Sequence, residues 1–390
     1  MRRNATQRDI LFIGHTARRH GAPIALLHFL RWYRKFGSRR FSILLDEGGE
    51  LINEYREAGA VWAADSSHWC PGGIRYQVLT AVGAKGWAMA AERRDVLRFA
   101  DRCSPCLLYF NSVARDTARL LEFFDPSIPV LVHVHELSYL LRLQGGTPMF
   151  ARAARFIACS NAVRRNLIDN NGISSDRIDT VHEAIPVDHI KPNCTRDDIL
   201  CSLGFRSDCL LVAACGIANW NKGVDLFLQV ALMVCRRRRD ACFVWVGDVL
   251  QTDREQFEHD LHRLRISDRV RFAGAVSDSS SYFAASDLFV LTSREDSFPL
   301  VCLEAAALGK PIVCFAEAGG MPEFVESDCG FSVPYLDAAA MSERILMLLD
   351  SPACRRKMGD AARVKVDERH DISVAAPRIM DVIERTIAGG

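Results

Sequence analysis

A predicted helix start near residue 299 has the features that bind phosphate groups. Ser297 is a residue type that caps helices, and Pro299 suits the first helical turn because an N–H group there has no intrahelical partner. The unpaired N–H groups and the positive end of the helix dipole attract anions. We therefore expect a diphosphate to bind at this position. The expected backbone donors are those of Phe298, Leu300 and Val301.

Two acidic residues lie beside this helix start, eight positions apart. Glu304, one to two turns into the helix, can accept hydrogen bonds from both hydroxyls of a ribose with its two carboxylate oxygens. Asp296, just before the helix, can accept hydroxyl groups of a transferred sugar. Taken alone, the segment also fits an ordinary capped helix with surface acids, so other segments must decide between the two interpretations.

Two more predicted loops of the second half carry residues suited to phosphate. Lys222 and Gly223 lie at another helix start, where a lysine is unfavourable for the helix dipole unless an anion lies between them. Gly223 also permits close approach of the backbone. Gly319 and Gly320 precede a further helix start and add N–H donors.

Two loops of the first half complete the set. Gly21 and Ala22 begin a helix after the first predicted strand, and His135 with Glu136 follows the apolar run VLVHV. Histidine is either an acid–base group or a structural hydrogen-bond partner, and the sequence leaves both roles open for His135. Because ligands bind beyond the carboxyl ends of parallel strands, we expect these five loops to converge on one crevice.

Apolar runs of strand length alternate with amphipathic stretches of helix length along the chain. This alternation is typical of parallel sheets covered by helices, so the predicted fold class is α/β. Strands are predicted in the first half at 10–14, 41–45, 107–110, 130–134, 156–160 and 178–182, and in the second half at 210–215, 243–247, 270–273, 288–292, 312–315 and 331–333. Each half is thus predicted to be one doubly wound unit.

The chain of 390 residues is long enough for two hydrophobic cores. Residues 1–189 form the predicted first domain and residues 190–371 the second, with a polar linker over 186–208. Residues 372–390 show apolar positions at helical spacing, and we expect this last helix to pack back on the first domain.

The composition excludes several classes of protein. With 49 basic and 48 acidic residues, the chain has no excess charge that would favour nucleic acid. Its 14 cysteines are scattered and many lie in apolar runs, which favours reduced thiols over a disulfide framework. The first apolar run, residues 10–13, is far shorter than the ~18 residues of a membrane span and does not fit a signal peptide. We expect a cytoplasmic protein.

Several motifs together resemble those of the retaining GT-B glycosyltransferases of family 4. The similar segments of the second half are ASDLFVLTSREDSFPLVCLEAAALGKPIVCF at 285–315, VGD at 246–248, FAGAV at 272–276 and the lysine–glycine pair at 222–223. The first half contributes GAP at 21–23, the histidine–glutamate pair at 135–136 and ACSNAVRRNL at 158–167. The resemblance covers most of the chain and is most specific in the second half. It implies two Rossmann-like domains, one for the acceptor and one for the donor, facing a central cleft.

The resemblance also implies a role for each matching residue. Lys222 binds the donor diphosphate, and Glu304 holds the ribose of the nucleotide. Asp296 or the adjacent Glu295 contacts the donor sugar, and His135 lies beside the sugar during transfer. The other residues implied to bind the donor are Gly21, Ala22, Gly216, Phe272, Val276, Phe298, Pro299, Leu300, Val301, Gly319, Gly320 and Glu323.

Two positions depart from the family's pattern. Asp296 stands where the usual residue is glutamate, which shortens the side chain by one methylene, and Glu295 could substitute for it. Ile217 stands where the family often has an arginine, so one phosphate-binding cation is missing. The candidates for a replacement cation are Arg294, Arg18 and Arg19.

The expected function is transfer of a sugar, with retention, from a UDP or GDP sugar to a glycan or lipid-linked acceptor in the synthesis of a cell-surface polysaccharide or glycolipid. The sequence has no Asp-x-Asp metal motif, and a lysine with helix starts can neutralise the leaving diphosphate, so no metal or other cofactor is expected. The alternatives are a nucleotide-sugar epimerase and a non-catalytic nucleotide-sugar-binding partner protein.

Basic and aromatic residues at 29–41 form either a surface for peripheral contact with the cytoplasmic membrane face or an ordinary amphipathic helix. The base, the sugar, the acceptor with its linkage and the oligomeric state stay open.

Overall fold

Two parallel β-sheets form the framework of the chain. The computed structural model describes residues 9–64, 74–144 and 147–389. The strands of the first sheet are β1 (Asp9–Gly14), β2 (Phe41–Leu45), β3 (Ala60–Ala63), β4 (Pro105–Asn111), β5 (Val130–Val134), β6 (Arg155–Ala158) and β7 (Ile178–Thr180). The strands of the second sheet are β8 (Leu210–Cys215), β9 (Ala241–Val246), β10 (Val270–Gly274), β11 (Leu288–Leu291), β12 (Ile312–Phe315) and β13 (Gly330–Val333).

Helices connect the strands. In chain order they are α1 (Gly21–Phe36), α2 (Ile52–Ala58), α3 (Ile74–Ala81), α4 (Lys85–Ala100), α5 (Arg115–Ala118), α6 (Ser138–Gln144), α7 (Thr147–Arg152), α8 (Asn161–Asp169), α9 (Arg196–Ser202), α10 (Val224–Arg237), α11 (Gln251–Leu264), α12 (Ser279–Ala285), α13 (Leu300–Ala307), α14 (Met321–Val325), α15 (Ala338–Asp350), α16 (Pro352–Lys365) and α17 (Ile372–Ala388). None of the helices in the described part of the chain combines the length and the apolar character needed to span a bilayer.

The first unit comprises the described residues up to 183 together with 372–389. Its sheet has the order β3-β2-β1-β4-β5-β6-β7, and all neighbouring strands are parallel. The central strands β1 and β5 are buried along their whole length, which is why they consist mainly of apolar residues without alternation. The last helix, α17, packs against α1, and Arg39 binds Glu384 with two hydrogen bonds of 2.8 Å.

The second unit comprises residues 184–371, and its parallel sheet has the order β10-β9-β8-β11-β12-β13. The division falls after residue 183 and not after residue 189. Its cause is local pairing, because the N–H of Ile185 donates to the carbonyl oxygen of His370 (2.9 Å) and the N–H of Val187 donates to the carboxylate of Asp371 (3.1 Å). These two bonds join the chain segment that enters the second unit to the segment that leaves it.

The polar segment 186–208 contains a helix and is therefore not the linker that the sequence predicted. Thr195 caps α9 with a reciprocal pair of bonds, in which its hydroxyl accepts the N–H of Asp198 and the carboxylate of Asp198 accepts the N–H of Thr195. Ile199 and Leu200 form the buried face of this helix. The apolar residues of this segment are scattered among charged and polar ones, which explains why the pattern was missed.

Strand β3 also escaped the sequence analysis. Its four residues, AVWA, form a short apolar run that the sequence analysis did not select, and they are exposed or half-buried at the edge of the sheet. The other strands are present, with ends that differ from the prediction by one or two residues at most. The prediction of two parallel-sheet α/β units is confirmed.

Two helical glycines are expected to respond to alanine in opposite directions. In α16, a Cβ atom at Gly359 would lie 1.9 Å from the carbonyl oxygen of Gly309, whereas Gly86 in α4 has open space at the same position. Gly359→Ala should lower the free energy of unfolding by about 1–3 kcal/mol, and Gly86→Ala should raise it by up to ~1 kcal/mol. Urea unfolding followed by circular dichroism measures both changes. An equal effect of the two substitutions would contradict the close approach of α16 to Gly309.

Candidate functional site

In the second unit, two loops are joined at the point where the strand order of the sheet reverses. The strand order reverses between β8 and β11, and such a switch point is where open parallel sheets bind ligands. The N–H of Arg294 donates to the carbonyl oxygen of Asn221 (2.7 Å), and the side-chain amide of Asn221 donates to the carbonyl oxygen of Glu295 (3.0 Å). The hydroxyl of Thr292 donates to the carbonyl oxygen of Lys222 (3.0 Å). The loop after β8 is therefore fixed against the loop after β11.

The loop after β12 joins the same cluster through its backbone. The N–H of Asp296 donates to the carbonyl oxygen of Ala318 (2.8 Å), and the N–H of Gly320 donates to the carbonyl oxygen of Ser297 (3.0 Å). The N–H of Glu323 donates to Gly320 (2.9 Å) and begins the turn into α14. Three loops that the sequence analysis selected separately thus form one cluster.

Three glycines permit this close packing of loops. Gly223 has a φ of +70°, and a Cβ atom there would lie 2.0 Å from the carbonyl oxygen of Thr292. Gly319 also has a positive φ, of 147°. At Gly216 a Cβ atom would be in ordinary contact with carbons of Lys222, at 3.4–3.5 Å, so glycine is favoured there by its positive φ of 146°. Side chains at Gly223 or Gly319 would strain the backbone in any case, because L-residues rarely adopt these angles.

An ion pair between Lys222 and Asp296 lies at the centre of the cluster. The ammonium nitrogen is 2.6 Å from Oδ2 of Asp296, and the hydroxyl of Ser293 donates to the same oxygen (3.0 Å). Side-chain exposure is 27% for the lysine and 11% for the aspartate. Burial disfavours the ammonium, but the charge and hydrogen bond of Asp296 outweigh it and raise the pKa of Lys222 above its usual value. The lysine is therefore charged, and it points into the loop cluster.

The helix start after β11 lies one residue later than predicted. Pro299 is the N-cap residue, with φ −69° and ψ 121°, and α13 begins at Leu300. Ser297 is not the cap, since no side chain caps this helix. The N–H of Cys302 bonds to the carbonyl oxygen of Pro299 (3.1 Å), whereas the N–H groups of Leu300 and Val301 precede the intrahelical bonds. These two amides are the backbone donors that the helix start offers to an anion.

Glu304 lies in the second turn of α13 and is largely shielded from water. Burial raises the pKa of its carboxyl from 4.5 to about 7. Near neutral pH this carboxyl group is therefore a mixture of charged and neutral forms. Hydrogen-bond donors from a ligand, such as a pair of hydroxyl groups, would stabilise the charged form.

Two aromatic residues of the predicted donor site are packed against other rings. Phe298 is buried and stacks on His370, with ring centroids 5.2 Å apart. Phe272, in β10, stacks on Phe257 of α11 at 5.5 Å. One face of each ring is therefore covered. Val276 follows β10 and is half-buried.

Arg294, one candidate for the cation missing at Ile217, is already paired in the structure. Ile217 is 52% exposed and brings no charge. The guanidinium of Arg294 binds both carboxylate oxygens of Asp225 (2.9 and 2.7 Å) and the carbonyl oxygen of Trp220 (2.6 Å), and it lies 4.9 Å from the centroid of the Trp220 ring. It serves to fasten the loop after β8 to the loop after β11.

In the first unit, the loop after β1 leads into α1 at Gly21. A Cβ atom at Gly21 would meet no other atom within 4 Å, so the space beside this helix start is open. Arg18 and Arg19, the other candidates for the missing cation, form exposed ion pairs with Glu47 and Glu54. Exposed pairs of this kind are weak, so both arginines can exchange partners.

His135 follows β5 and contacts two residues that the sequence analysis did not select. Its Nδ1 lies 2.6 Å from Glu183 and its Nε2 lies 3.1 Å from the side-chain oxygen of Asn111. Asn111 in turn donates to the carbonyl oxygen of Ala22 (2.9 Å), at the start of α1. The predicted residues Ala22 and His135 are thus linked through Asn111, at the switch point between β1 and β4.

Four polar residues of these clusters were missed in the sequence. Asn111 ends an apolar strand and Ser293 follows one by two positions, so their places at the carboxyl ends of strands were a usable signal. Asn221 directly precedes Lys222 in a loop that had been selected, so its position was an equally usable signal. Glu183 follows a strand of three residues in a polar context, which carries no comparable signal.

Among the described residues, one group has the residue types and spacing of metal ligands. The ligand atoms of His133, His135 and Glu183 lie within 4.8 Å of one another. Both ring nitrogens of His135 lie within hydrogen-bond distance of side-chain oxygens, so a metal ion at this ring would have to replace one of these contacts.

Comparison with known proteins gives relatives for more than half of the chain. The family described as Glycosyl transferases group 1 matches residues 196–365. The D-inositol 3-phosphate glycosyltransferase 1 of Catenulispora acidiphila is 27% identical over 259 residues, which cover 64% of this chain and 61% of that protein. The GDP-mannose-dependent monoacylated alpha-(1-6)-phosphatidylinositol monomannoside mannosyltransferase of Corynebacterium glutamicum is 28% identical over 193 residues, 47% of this chain and 49% of that protein. The chain thus spans about half to three fifths of the length of these relatives.

Solved structures share the fold over nearly the whole chain. The Anabaena protein Alr3699/HepE in complex with UDP-glucose has a TM-score of 0.81 at 19% identity, covering 97% of this chain and 100% of that one. WaaG, a glycosyltransferase involved in lipopolysaccharide biosynthesis, has a TM-score of 0.71 at 15% identity, covering 98% and 100%. At these identities the comparison establishes the fold, and the GT-B fold expected from the motifs is confirmed.

Glu304 is expected to make the stability of the ligand-free protein depend on pH. Below its ordinary pKa of 4.5 it is protonated in the folded and the unfolded chain alike, and it has no effect. As the pH rises from there to about 7, the unfolded chain releases this proton first, so the free energy of unfolding falls. Glu304→Gln should therefore be more stable than the wild type at about pH 8, by roughly 1–3 kcal/mol, and similar to it at about pH 4. Melting curves at both pH values measure the difference, and a wild type as stable as the variant at the higher pH would contradict this effect.

Proposed function

We propose, from the membership of residues 196–365 in the glycosyl transferases group 1 family, that this chain is a retaining glycosyltransferase. It transfers a sugar from a UDP or GDP sugar to a glycan or lipid-linked acceptor, in the synthesis of a cell-surface polysaccharide or glycolipid. The observation that carries the proposal is the charged ammonium of Lys222 at the switch point of the second sheet. It is bound to Asp296, which lies just before the start of α13.

The donor diphosphate binds, in this proposal, between Lys222 and the start of α13. An ammonium group has three N–H donors, so Lys222 can keep its bond to Asp296 and still donate to phosphate oxygens. The N–H groups of Leu300 and Val301 supply further donors at the positive end of the helix dipole. Asp296 thus holds the lysine in place before the donor arrives.

The nucleoside and sugar parts of the donor are assigned to the surrounding acids. Glu304 accepts the two ribose hydroxyls, which stabilises its charged form against the burial that raises its pKa. Asp296 or Glu295 accepts hydroxyls of the transferred sugar, next to the glycine loop at 319–320. The bond between the N–H of Asp296 and Ala318 supports this placement, because it holds the acid beside that loop.

The reaction needs stabilisation of the leaving diphosphate more than it needs a protein base. The bond from the anomeric carbon to the phosphate oxygen breaks, and negative charge grows on the diphosphate next to Lys222. Donors held in place before the reaction contribute several kcal/mol of transition-state stabilisation. The freed phosphate oxygen then takes the proton of the acceptor hydroxyl, which attacks from the same face of the sugar and retains the configuration.

Relatives support a nucleotide-sugar donor without choosing the base. The Corynebacterium protein is named for GDP-mannose, and the Anabaena structure contains UDP-glucose. Transfer is favoured over the epimerase and the non-catalytic alternatives, because the relatives described above are named as transferases. The proposal therefore covers UDP and GDP sugars alike.

The acceptor and the cellular setting extend the proposal. Free thiols at the described cysteines support a cytoplasmic location. For contact with anionic lipid, the segment 29–41 offers Phe36, which is 63% exposed, at the end of α1. Three of its cations are already paired, Arg31 with Glu54, Arg39 with Glu384 and Arg40 with Asp9. Peripheral contact with the membrane would therefore depend on the remaining basic residues of this segment.

Lys222→Met is expected to lower transfer activity by roughly 10²–10³-fold, because the diphosphate loses its only ammonium partner among the residues assigned here. The matched control is Lys357→Met, which removes an exposed lysine from α16 and should leave activity unchanged. Initial rates with the purified chain, together with circular dichroism to verify folding, measure the effect. A folded Lys222→Met chain with wild-type activity would refute the assigned role of this lysine.

Nucleotide binding is expected to need no metal ion. In buffer with EDTA, UDP or GDP should raise the melting temperature of the wild type, because ligands that bind only the folded state stabilise it. Glu304→Ala should weaken this shift, since the ribose loses its acceptor. ADP serves as a third nucleotide and also identifies the base that is preferred. Absence of a shift with all three nucleotides, or a shift that appears only after Mg²⁺ is added, would contradict the proposed site.

A further inference from the structure

His135 of the first unit faces a hydrogen-bond acceptor at each of its two ring nitrogens. Nδ1 lies 2.6 Å from a carboxylate oxygen of Glu183, and Nε2 lies 3.1 Å from the side-chain oxygen of Asn111. The side chains of His135 and Glu183 are 7% and 8% exposed, so water does not compete for these bonds. A neutral imidazole has a single N–H group. It would satisfy one acceptor and turn a lone pair toward the other.

The orientation of the Asn111 amide decides which of its atoms faces the ring. Its nitrogen donates to the carbonyl oxygen of Ala22 at 2.9 Å. If the amide were turned over, its oxygen would lie against that carbonyl oxygen, and two acceptors would meet without a proton. The oxygen of Asn111 therefore faces His135, and only an N–H group of the ring can bind it.

We propose that Asn111 and Glu183 hold His135 as an imidazolium, and that these three side chains position the loop after β5 against the start of α1 and the segment after β7. Two N–H donors then match two acceptors, and the carboxylate of Glu183 balances the charge. The chain of bonds runs from the Ala22 carbonyl through Asn111 and His135 to Glu183. It joins the last residue of β4 to segments that follow β1, β5 and β7 of the same sheet.

The other titratable groups around the ring fit a single cation. Burial disfavours the charge, but Glu183 and the nearby Glu136 outweigh it and raise the pKa of His135. His133, whose ring centroid is 4.2 Å away, has a pKa held well below its ordinary value by burial. Burial, His20 and His135 lower the pKa of His15 to about 4. Of these three histidines, only His135 has a pKa that its surroundings raise.

This arrangement gives His135 a positioning role and excludes a role as base. An imidazolium has no lone pair, so it cannot take the proton of an acceptor hydroxyl. Its charge is present below the raised pKa and is lost as the pH rises through that value. One of the two acceptors then loses its donor, and the chain of bonds opens at that end. The effect on sugar transfer rests on the proposed function, whereas the charge state of the ring does not.

Imidazole ¹⁵N NMR of the full chain labelled with ¹⁵N-histidine tests the charge state directly. The signals of His135 among the 11 histidines are assigned by correlation to its backbone amide. Near neutral pH, both ring nitrogens of His135 should carry a proton, while His133 should be neutral. A neutral tautomer of His135 at about pH 7 would overturn the proposal, because the ordinary pKa of histidine is about 6.5.

Two substitutions separate the charge from the shape of the cluster. Glu183→Gln keeps the size of the side chain and should lower the proton affinity of His135 at least tenfold, which is one pKa unit. Glu122→Gln, at an exposed position of the same unit, is the control and should leave it unchanged. Asn111→Asp keeps an acceptor beside Nε2, so His135 should stay charged in this variant. An unchanged proton affinity in Glu183→Gln, or a neutral His135 in Asn111→Asp, would contradict the assigned contacts.

Two further measurements, the pH dependence of the transfer rate and the response to Zn²⁺, distinguish failure of the proposed function from failure of the proposal for His135. In Glu183→Gln, the high-pH limb of the transfer rate should move to lower pH by the same amount as the NMR titration, which a merely structural role would not produce. A chain with no transfer activity refutes the proposed function and leaves the NMR result standing.

Addition of Zn²⁺ should not change the His135 signals. Stoichiometric Zn²⁺ binding that removes an N–H signal of this ring would overturn the proposal in favour of a metal centre.

Discussion

The contact between the Lys222 ammonium and the Asp296 carboxylate is the interaction on which the second unit's site depends. Either charge alone would be unfavourable at this depth, because removal of water from an unpaired charge costs several kcal/mol. The two groups stabilise each other at 2.6 Å, and the hydroxyl of Ser293 satisfies a further position of the carboxylate. Since the lysine retains N–H donors, the pair holds a cation in place and leaves it able to bind an anion. This property makes the cluster suitable for a diphosphate.

The parallel sheet explains why residues 74 positions apart can form this pair. In the strand order of the second unit, β8 and β11 are neighbours, so the loops that follow them leave the same edge. The side chain of Asn221 and the guanidinium of Arg294 then fasten one loop to the other. Gly223 lets the backbones come close enough for these bonds. The site is therefore built mainly by loop-to-loop contacts, and the helix start supplies only part of it.

The first unit uses a related arrangement with a different result. His135 and Glu183 form a buried pair of a cation and a carboxylate, as Lys222 and Asp296 do. The lysine has donors to spare, whereas both donors of the imidazolium are taken by Glu183 and Asn111. A cation with unused donors is suited to binding, and a cation without them is suited to positioning. This difference follows from the number of N–H groups in each side chain.

The sequence by itself determined the fold class, twelve of the thirteen strands found in the described residues, and the loops that carry the candidate site. Apolar runs and turn residues are local properties, so Lys222, Asp296, Glu304 and the glycines could be selected before any contact was known. The tertiary structure determined the features that depend on contacts between residues far apart in the chain. It placed the start of α13 at Leu300, bound Arg294 to Asp225, and brought Glu183 to His135 from 48 positions away. Hydrogen-bond partners and charge states depend on which groups become neighbours after folding, and that is set by the order of strands in the sheet.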